Sequence, residues 1–75
     1  MGYYTSKFAG SGESPLLAKN DLENYMMRHG CKNIIFDDKK NQVSFHYYGH
    51  YYCYYIVYDT YETCTSNVIW YAIIY

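Results

Sequence analysis

The sequence predicts an α+β domain in which one N-terminal helix packs on a three- or four-stranded antiparallel sheet. Three observations predict it. A proline-started amphipathic segment closes on a glycine at residue 30. Short alternating or β-branched runs follow it, separated by polar and glycine turns. The chain has 75 residues, 51 % of them hydrophobic, which is enough for a single domain with one small core. A chain of this size buries roughly 60 % of its unfolded surface. A metal, a disulfide or a partner subunit commonly supplements such a core.

Residues 1–13 (MGYYTSKFAGSGE) mix aromatics with Gly and Ser and read as an irregular arm, which Tyr3, Tyr4 and Phe8 would pin to the domain. The helix is expected over residues 14–30. Ser14 supplies a hydroxyl N-cap and Pro15 a pre-set first position. Asn20 and Asp21, with Glu23 three residues after Asn20, form a competing start. Leu22, Tyr25, Met26 and His29 fall at i, i+3, i+4 and i+7 on one face. Arg28 and His29 complement the dipole of the last turn, and Gly30 stands where a left-handed cap is expected.

Residues 33–75 read as an antiparallel meander. Residues 33–36 are isoleucine-rich and form a first strand, followed by the polar turn 37–41 (DDKKN). Residues 42–47 alternate, with Val43, Phe45 and Tyr47 on one face and Gln42, Ser44 and His46 on the other. Gly49 marks a second tight turn. Residues 51–58 are a third strand, with Tyr52, Tyr54, Ile56 and Tyr58 on one face and Tyr51, Cys53, Tyr55 and Val57 on the other. Both faces are apolar or aromatic, so this strand is expected to be central or to have its outer face covered. The later part of residues 59–67 is a loop. Residues 68–75 are β-branched and aromatic, as in a fourth strand. That strand lacks a charged gatekeeper, so a homodimer or a covered edge is expected.

Net charge is −1, which gives no bulk attraction to nucleic acid or an anionic membrane. The longest apolar run, residues 68–75, is far below the roughly 20 residues a membrane helix needs. Three cysteines, Cys31, Cys53 and Cys64, are an odd number, and residues 1–7 do not resemble a secretory leader. A reducing cytoplasm with free thiols is therefore the expected location.

His46, His50 and Cys53 are spaced H-x3-H-x2-C, with Cys64 as a possible fourth zinc ligand. No C-x2-C knuckle accompanies them, and neither a metal nor another cofactor is assigned. Cys31 lies past a helix C-terminus, Cys53 in an aromatic strand and Cys64 beside Glu62. None has the electropositive setting of a catalytic thiol. Asp37 and Asp38 read as a solvated turn. Nucleophile-elbow, Walker and dinucleotide patterns are absent, so no catalytic residue is assigned and a non-enzyme is expected.

Tyrosine carries the strongest functional signal. Seven of the twelve residues 47–58 are tyrosine, and no Lys or Arg follows Lys40. Aromatic sheets can stack unpaired bases. Phosphate contacts supply most non-specific nucleic-acid affinity, and residues 41–75 offer no fixed positive charge. Single-stranded nucleic acid, held by the tyrosines with Lys39, Lys40 and Arg28, is therefore the second reading. A protein partner is the first, because tyrosine offers large contact area at low entropic cost. Tyr48, Tyr51, Tyr52, Tyr54 and Tyr55 are the candidate anchors, with Trp70 behind them.

Residues 19–56 resemble a class of small phage-encoded proteins of unknown function. The likeness rests on Leu22, Glu23, Tyr25, Met26, Arg28, His29 and Gly30 of the helix, on Val43, Phe45, Gly49 and Tyr55 of the hairpin, and on the short arm Lys7, Phe8 and Ala9. Members follow the hairpin with a Leu-Pro segment, where this chain continues with Val57, Tyr58, Asp59 and a further strand. The resemblance implies a phage setting in a bacterial cytoplasm and no activity or site residue. By analogy with compact phage proteins, the expected function is inhibition of a host protein, such as a CRISPR or other defence effector.

Overall fold

A computed structural model of the chain describes residues 8–75, so the expected pinning by Tyr3 and Tyr4 lies outside the described residues. The elements run β1 (Ala9–Gly12), α1 (Pro15–Arg28), β2 (Lys32–Asp37), β3 (Gln42–Tyr47), β4 (His50–Glu62) and β5 (Val68–Ile74). Among the described residues the class is α+β with one helix, but the antiparallel sheet has five strands, in the order β1-β5-β4-β3-β2. The additional strand comes from the presumed irregular arm. Its sequence, AGSG, has no apolar alternation, so periodicity does not reveal it.

The glycines of β1 let the helix approach. A Cβ on Gly10 would stand 2.2 Å from the backbone nitrogen of Leu22 and 2.6 Å from the carbonyl oxygen of Ala18. Only a residue without a side chain allows α1 to lie directly on the strand. Opposite Gly10 sits Ala72 of β5, and opposite Gly12 sits Trp70. The helix therefore covers the β1–β5 side of the inner face with Ala18, Leu22 and Met26, all fully buried.

Of the two candidate helix starts, Ser14 caps. Its Oγ accepts a hydrogen bond from the N–H of Leu17 at 3.2 Å, with Pro15 at the first position. The other end closes as expected at Gly30, where the N–H of Cys31 donates to Met26 O and that of Gly30 to Met27 O. The buried stripe differs from the expected one at two positions. Tyr25 is half-buried. His29 is exposed, with its ring edge-on to Tyr25 at 4.3 Å. Ala18, a turn before Leu22, takes its place in the stripe, because the close approach to β1 centres the contact toward the start of the helix.

Val43 and Phe45 of β3, Ile56 of β4 and Ala72 and Ile74 of β5 line the inner face and complete the core with Phe8. The β2–β3 turn is a solvated one, in which Asp37 Oδ1 accepts from the N–H groups of Lys39 and Lys40. Within β2 the register slips between the Lys32–His46 and Ile35–Ser44 pairs, and Asn33 takes φ 55° in the resulting bulge.

β4 is longer than expected and central. Its first half pairs with β3, from Tyr47–His50 to Gln42–Tyr55, and its second half pairs with β5, from Ile56–Ile74 to Glu62–Val68. The extension carries Asp59 and Glu62 into the strand, because β5 provides a partner for them. β1 covers the outer edge of β5. Among the described residues, no helix is long and apolar enough to cross a membrane.

Candidate functional site

Alternation along β4 distributes the tyrosines over both faces of the sheet. Tyr51, Cys53 and Tyr55 point outward, while Tyr52, Tyr54 and Tyr58 point toward the helix side. Tyr51 is 63 % exposed and Tyr55 54 %. No element covers their face among the described residues, so of the two expected alternatives for β4 the central position is the one that holds. Tyr52 and Tyr54 are half-buried, with rings 5.9 Å apart and 9° from parallel. Phe45 of β3, paired opposite Tyr52, lies 5.6 and 5.9 Å from them. Trp70 is half-buried in β5, opposite Gly12 and Thr60, at the other end of the sheet. The six candidate anchors therefore do not share one plane. Five lie on the first half of β4 and its turn, on both faces, and Trp70 is remote from them.

Tyr48 sits at the tip of the β3–β4 hairpin. Its φ is 51° and that of Gly49 is 79°, as in a two-residue turn of the primed type. Glycine adopts this conformation freely, whereas a tyrosine in it is strained. The ring is 82 % exposed and touches Tyr47 at 4.4 Å. No core contact requires it, so the strain is not a packing necessity. Tyr48→Asn is expected to raise stability by about 1 kcal/mol, measured by urea unfolding. A loss of stability would show that the ring contributes more to the fold than its exposure implies.

Neighbouring strands complete the outer face with residues that the linear sequence did not single out. Ile35 of β2, 62 % exposed, lies in the row of Ser44 and Cys53. The ring of Tyr75 lies 6.2 Å from that of Tyr55. Farther along, Tyr61 and Tyr71 meet edge-on at 5.0 Å. Strand register creates these adjacencies, and register is not legible without knowing how many residues each bulge inserts.

Positive charge is sparse near these rings. Lys19 is paired with Asp38 at 3.0 Å and lies over the ring of Phe36 at 5.3 Å. Lys32 stands opposite His46, which stands opposite Tyr51, so one ammonium group shares the Tyr51 row. Lys39 and Lys40 occupy the turn at one end of β2, and Arg28 ends the helix near its other end. The length of β2 thus separates the three cations of the nucleic-acid reading.

Burial raises the phenol pKa of Tyr58 above its usual value, against a smaller opposing effect from Lys19, and burial likewise raises that of Tyr47. A raised folded-state value favours the neutral phenol in the fold. This contribution to stability is complete below the ordinary phenol value of about 10 and is lost as pH rises through the folded value. Urea midpoints are therefore expected to fall above about pH 10. An unchanged midpoint there would contradict the packing of these two rings.

Burial also raises the Cys31 thiol, so Cys31 is a core residue and not an activated nucleophile. The zinc-like spacing does not converge. By strand alternation His46 and Cys53 lie on the outer face and His50 on the inner, while Cys64 lies in the distal β4–β5 loop. Among the described residues, no group of three or more His, Cys, Asp or Glu is placed to hold a metal ion. What the arrangement offers chemically is an exposed aromatic surface. Comparison of the chain with protein-family models, curated proteins and solved structures finds no match.

Proposed function

We propose that this chain is a non-enzymatic protein-binding module whose contact surface is the tyrosine-rich first half of β4 with its hairpin tip. One observation carries the reading. Tyr48, Tyr51 and Tyr55 are exposed together in a stretch, residues 41–58, that contains no Lys, Arg, Asp or Glu. Exposed aromatic clusters of this kind are unusual on a surface that meets only water. They are typical of interface centres, where rings are desolvated without stranding a charge. The phage setting implied by the resemblance of residues 19–56 makes a host defence protein, such as a CRISPR effector, the candidate partner, which the module would inhibit by occlusion.

Affinity capture from bacterial host lysate, followed by a binding isotherm on the captured protein, tests the reading. Tyr51→Ala with Tyr55→Ala is expected to weaken binding by about 2 kcal/mol or more, roughly thirtyfold. Both side chains are exposed, so the fold should be retained. Equal affinity of wild type and variant would remove this face from consideration. The Lys32–His46–Tyr51 row supports single-stranded nucleic acid as the alternative. A mobility shift of an oligonucleotide that weakens steeply with salt would favour it over the protein partner.

A further inference from the structure

We infer that the partner protein presents one carboxylate, set among apolar residues, to a concavity lined by Lys32, Asn33 and His46 at one end of the tyrosine face. The inference rests on the proposed protein-binding role and names the chemistry of the partner's surface.

Register assembles this end of the face. Lys32 stands opposite His46, and His46 opposite Tyr51, so the three side chains form one row across β2, β3 and β4 on the outer face. All three are exposed. The rings of His46 and Tyr51 are 5.4 Å apart. Beside this row lies a concavity of about 430 Å3, lined by Lys32, Asn33, His46 and Tyr48 with Gly30 and Gly49. Four of these residues have left-handed backbone: φ is 91° at Gly30, 55° at Asn33, 51° at Tyr48 and 79° at Gly49. Only two other such residues, Asn41 and Ser66, occur among the described ones. Unfavourable backbone is thus concentrated where the concavity is formed, as is common at binding sites.

The concavity offers donors and no carboxylate. Asn33 Nδ2 donates to His46 Nδ1 at 3.4 Å, which puts the proton of the neutral ring on Nε2. That N–H and the Lys32 ammonium are both donors. Lys32 forms no ion pair among the described residues, and residues 1–7 contain no Asp or Glu to supply one. Glu23 of α1 lines an adjacent concavity with Lys32 without pairing with it. In water the ammonium is satisfied by solvent. A partner that covers Tyr48 and Tyr51 strips that solvent away, and an ammonium desolvated without a counter-charge is costly. The partner therefore has to bring an anion to this place.

One ammonium calls for one negative charge. A phosphate chain fits less well. The Tyr55 row runs through Gln42 to Asp37, four residues along β3 from His46, or about 14 Å. A nucleic-acid strand laid over both tyrosines would set a phosphate against that carboxylate. Residues 37–40 (DDKK) balance in charge, so this end of the face offers no excess of cations to compensate. A protein surface with a lone acid among apolar residues meets neither obstacle.

The probes are two short capped peptides, tyrosine-valine-glutamate-valine-tyrosine and its glutamine twin. Each is titrated into isotope-labelled protein at low salt and followed by NMR. The Lys32, Asn33 and His46 amide signals are expected to shift, and the glutamate peptide to bind about tenfold more tightly than its twin. In Lys32→Gln, an exposed substitution that breaks no ion pair, the two peptides should bind equally. The inference fails if wild type binds both peptides equally, or if Lys32→Gln keeps the preference. It fails too if the shifts fall elsewhere, or if neither peptide binds at its solubility limit. An oligothymidylate that binds more tightly than the glutamate peptide, with steep salt dependence, would replace it by the nucleic-acid reading. With the captured partner, Lys32→Glu is expected to weaken binding about a hundredfold. Loss of binding in Tyr51→Ala/Tyr55→Ala with wild-type affinity in Lys32→Glu refutes the carboxylate and leaves the tyrosine face intact. Wild-type affinity in both refutes the face as well.

Discussion

Adding one methyl group at residue 10 is expected to destabilise this domain more than almost any surface change. In Gly10→Ala the new Cβ would lie 2.2 Å from Leu22 N and within 2.6 Å of Ala18 O. Both atoms belong to the helix backbone, so no side-chain rotation relieves the clash. Either α1 moves off the sheet, uncovering Ala18, Leu22 and Ala72, or β1 separates from β5. Overpacking of this kind costs about 3 kcal/mol or more. A domain of this size has about 4–11 kcal/mol in total, so the variant should unfold at a much lower urea concentration or be partly unfolded without urea. Trp70, half-buried opposite Gly12, reports the transition by fluorescence. Ser11→Ala is the control, since its side chain is exposed and the main-chain bond from its N–H to Asp21 survives. It should change stability by less than about 0.5 kcal/mol. Equal midpoints for the two variants would show that the helix does not rest on β1.

Phe45→Ala is expected to have an effect of similar size and to link the core to the tyrosines. Phe45 is 1 % exposed and is among the largest fully buried side chains. Its ring meets Phe8 edge-on at 6.1 Å and lies beside Tyr52 and Tyr54 on the inner face. Truncation removes the transfer energy of the ring and leaves a cavity, about 3–5 kcal/mol together. Tyr52 and Tyr54 also lose the surface that sets them parallel, so near-ultraviolet circular dichroism from tyrosine should collapse along with the unfolding midpoint. Phe45→Leu, which keeps most of the volume, should cost clearly less. A loss below about 1 kcal/mol for Phe45→Ala would be inconsistent with its buried place in the core.

Several features were legible in the sequence because they depend on near neighbours. Ser14 with Pro15 defines a helix start through local hydrogen bonding, and Gly30 a helix end through its backbone freedom. The two faces of residues 51–58 follow from strand alternation alone, and Tyr52 and Tyr54 do share a face opposite to Tyr51 and Tyr55. β1 was not legible. Its four small residues carry no apolar pattern, and its identity as a strand depends on β5, which lies some sixty residues later in the chain. The choice between Ser14 and Asn20 as the cap was likewise undecided locally. It is settled by Ala18, whose place against Gly10 requires the helix to have begun before it.

The candidate anchors divide in the same way. Abundance of tyrosine and scarcity of fixed charge in residues 41–58 are properties of composition, visible at once. Which rings remain in solvent depends on the helix. α1 rests on β1 and β5, so the core closes over Val43, Phe45 and Ile56 and leaves the outer face uncovered.

By itself, then, the sequence determined the helix, the approximate strands after it, the alternation of β4 and the neutrality of its tyrosine-rich half. Only the tertiary structure decided that the arm supplies a fifth strand, and that Tyr51 and Tyr55 stay exposed while Tyr52 and Tyr54 are half-buried. The physical reason is range. Helix caps and strand alternation are set by residues a few positions apart, whereas edges and exposure are set by which distant segments meet, and here that depends on a glycine small enough for a helix to lie on it.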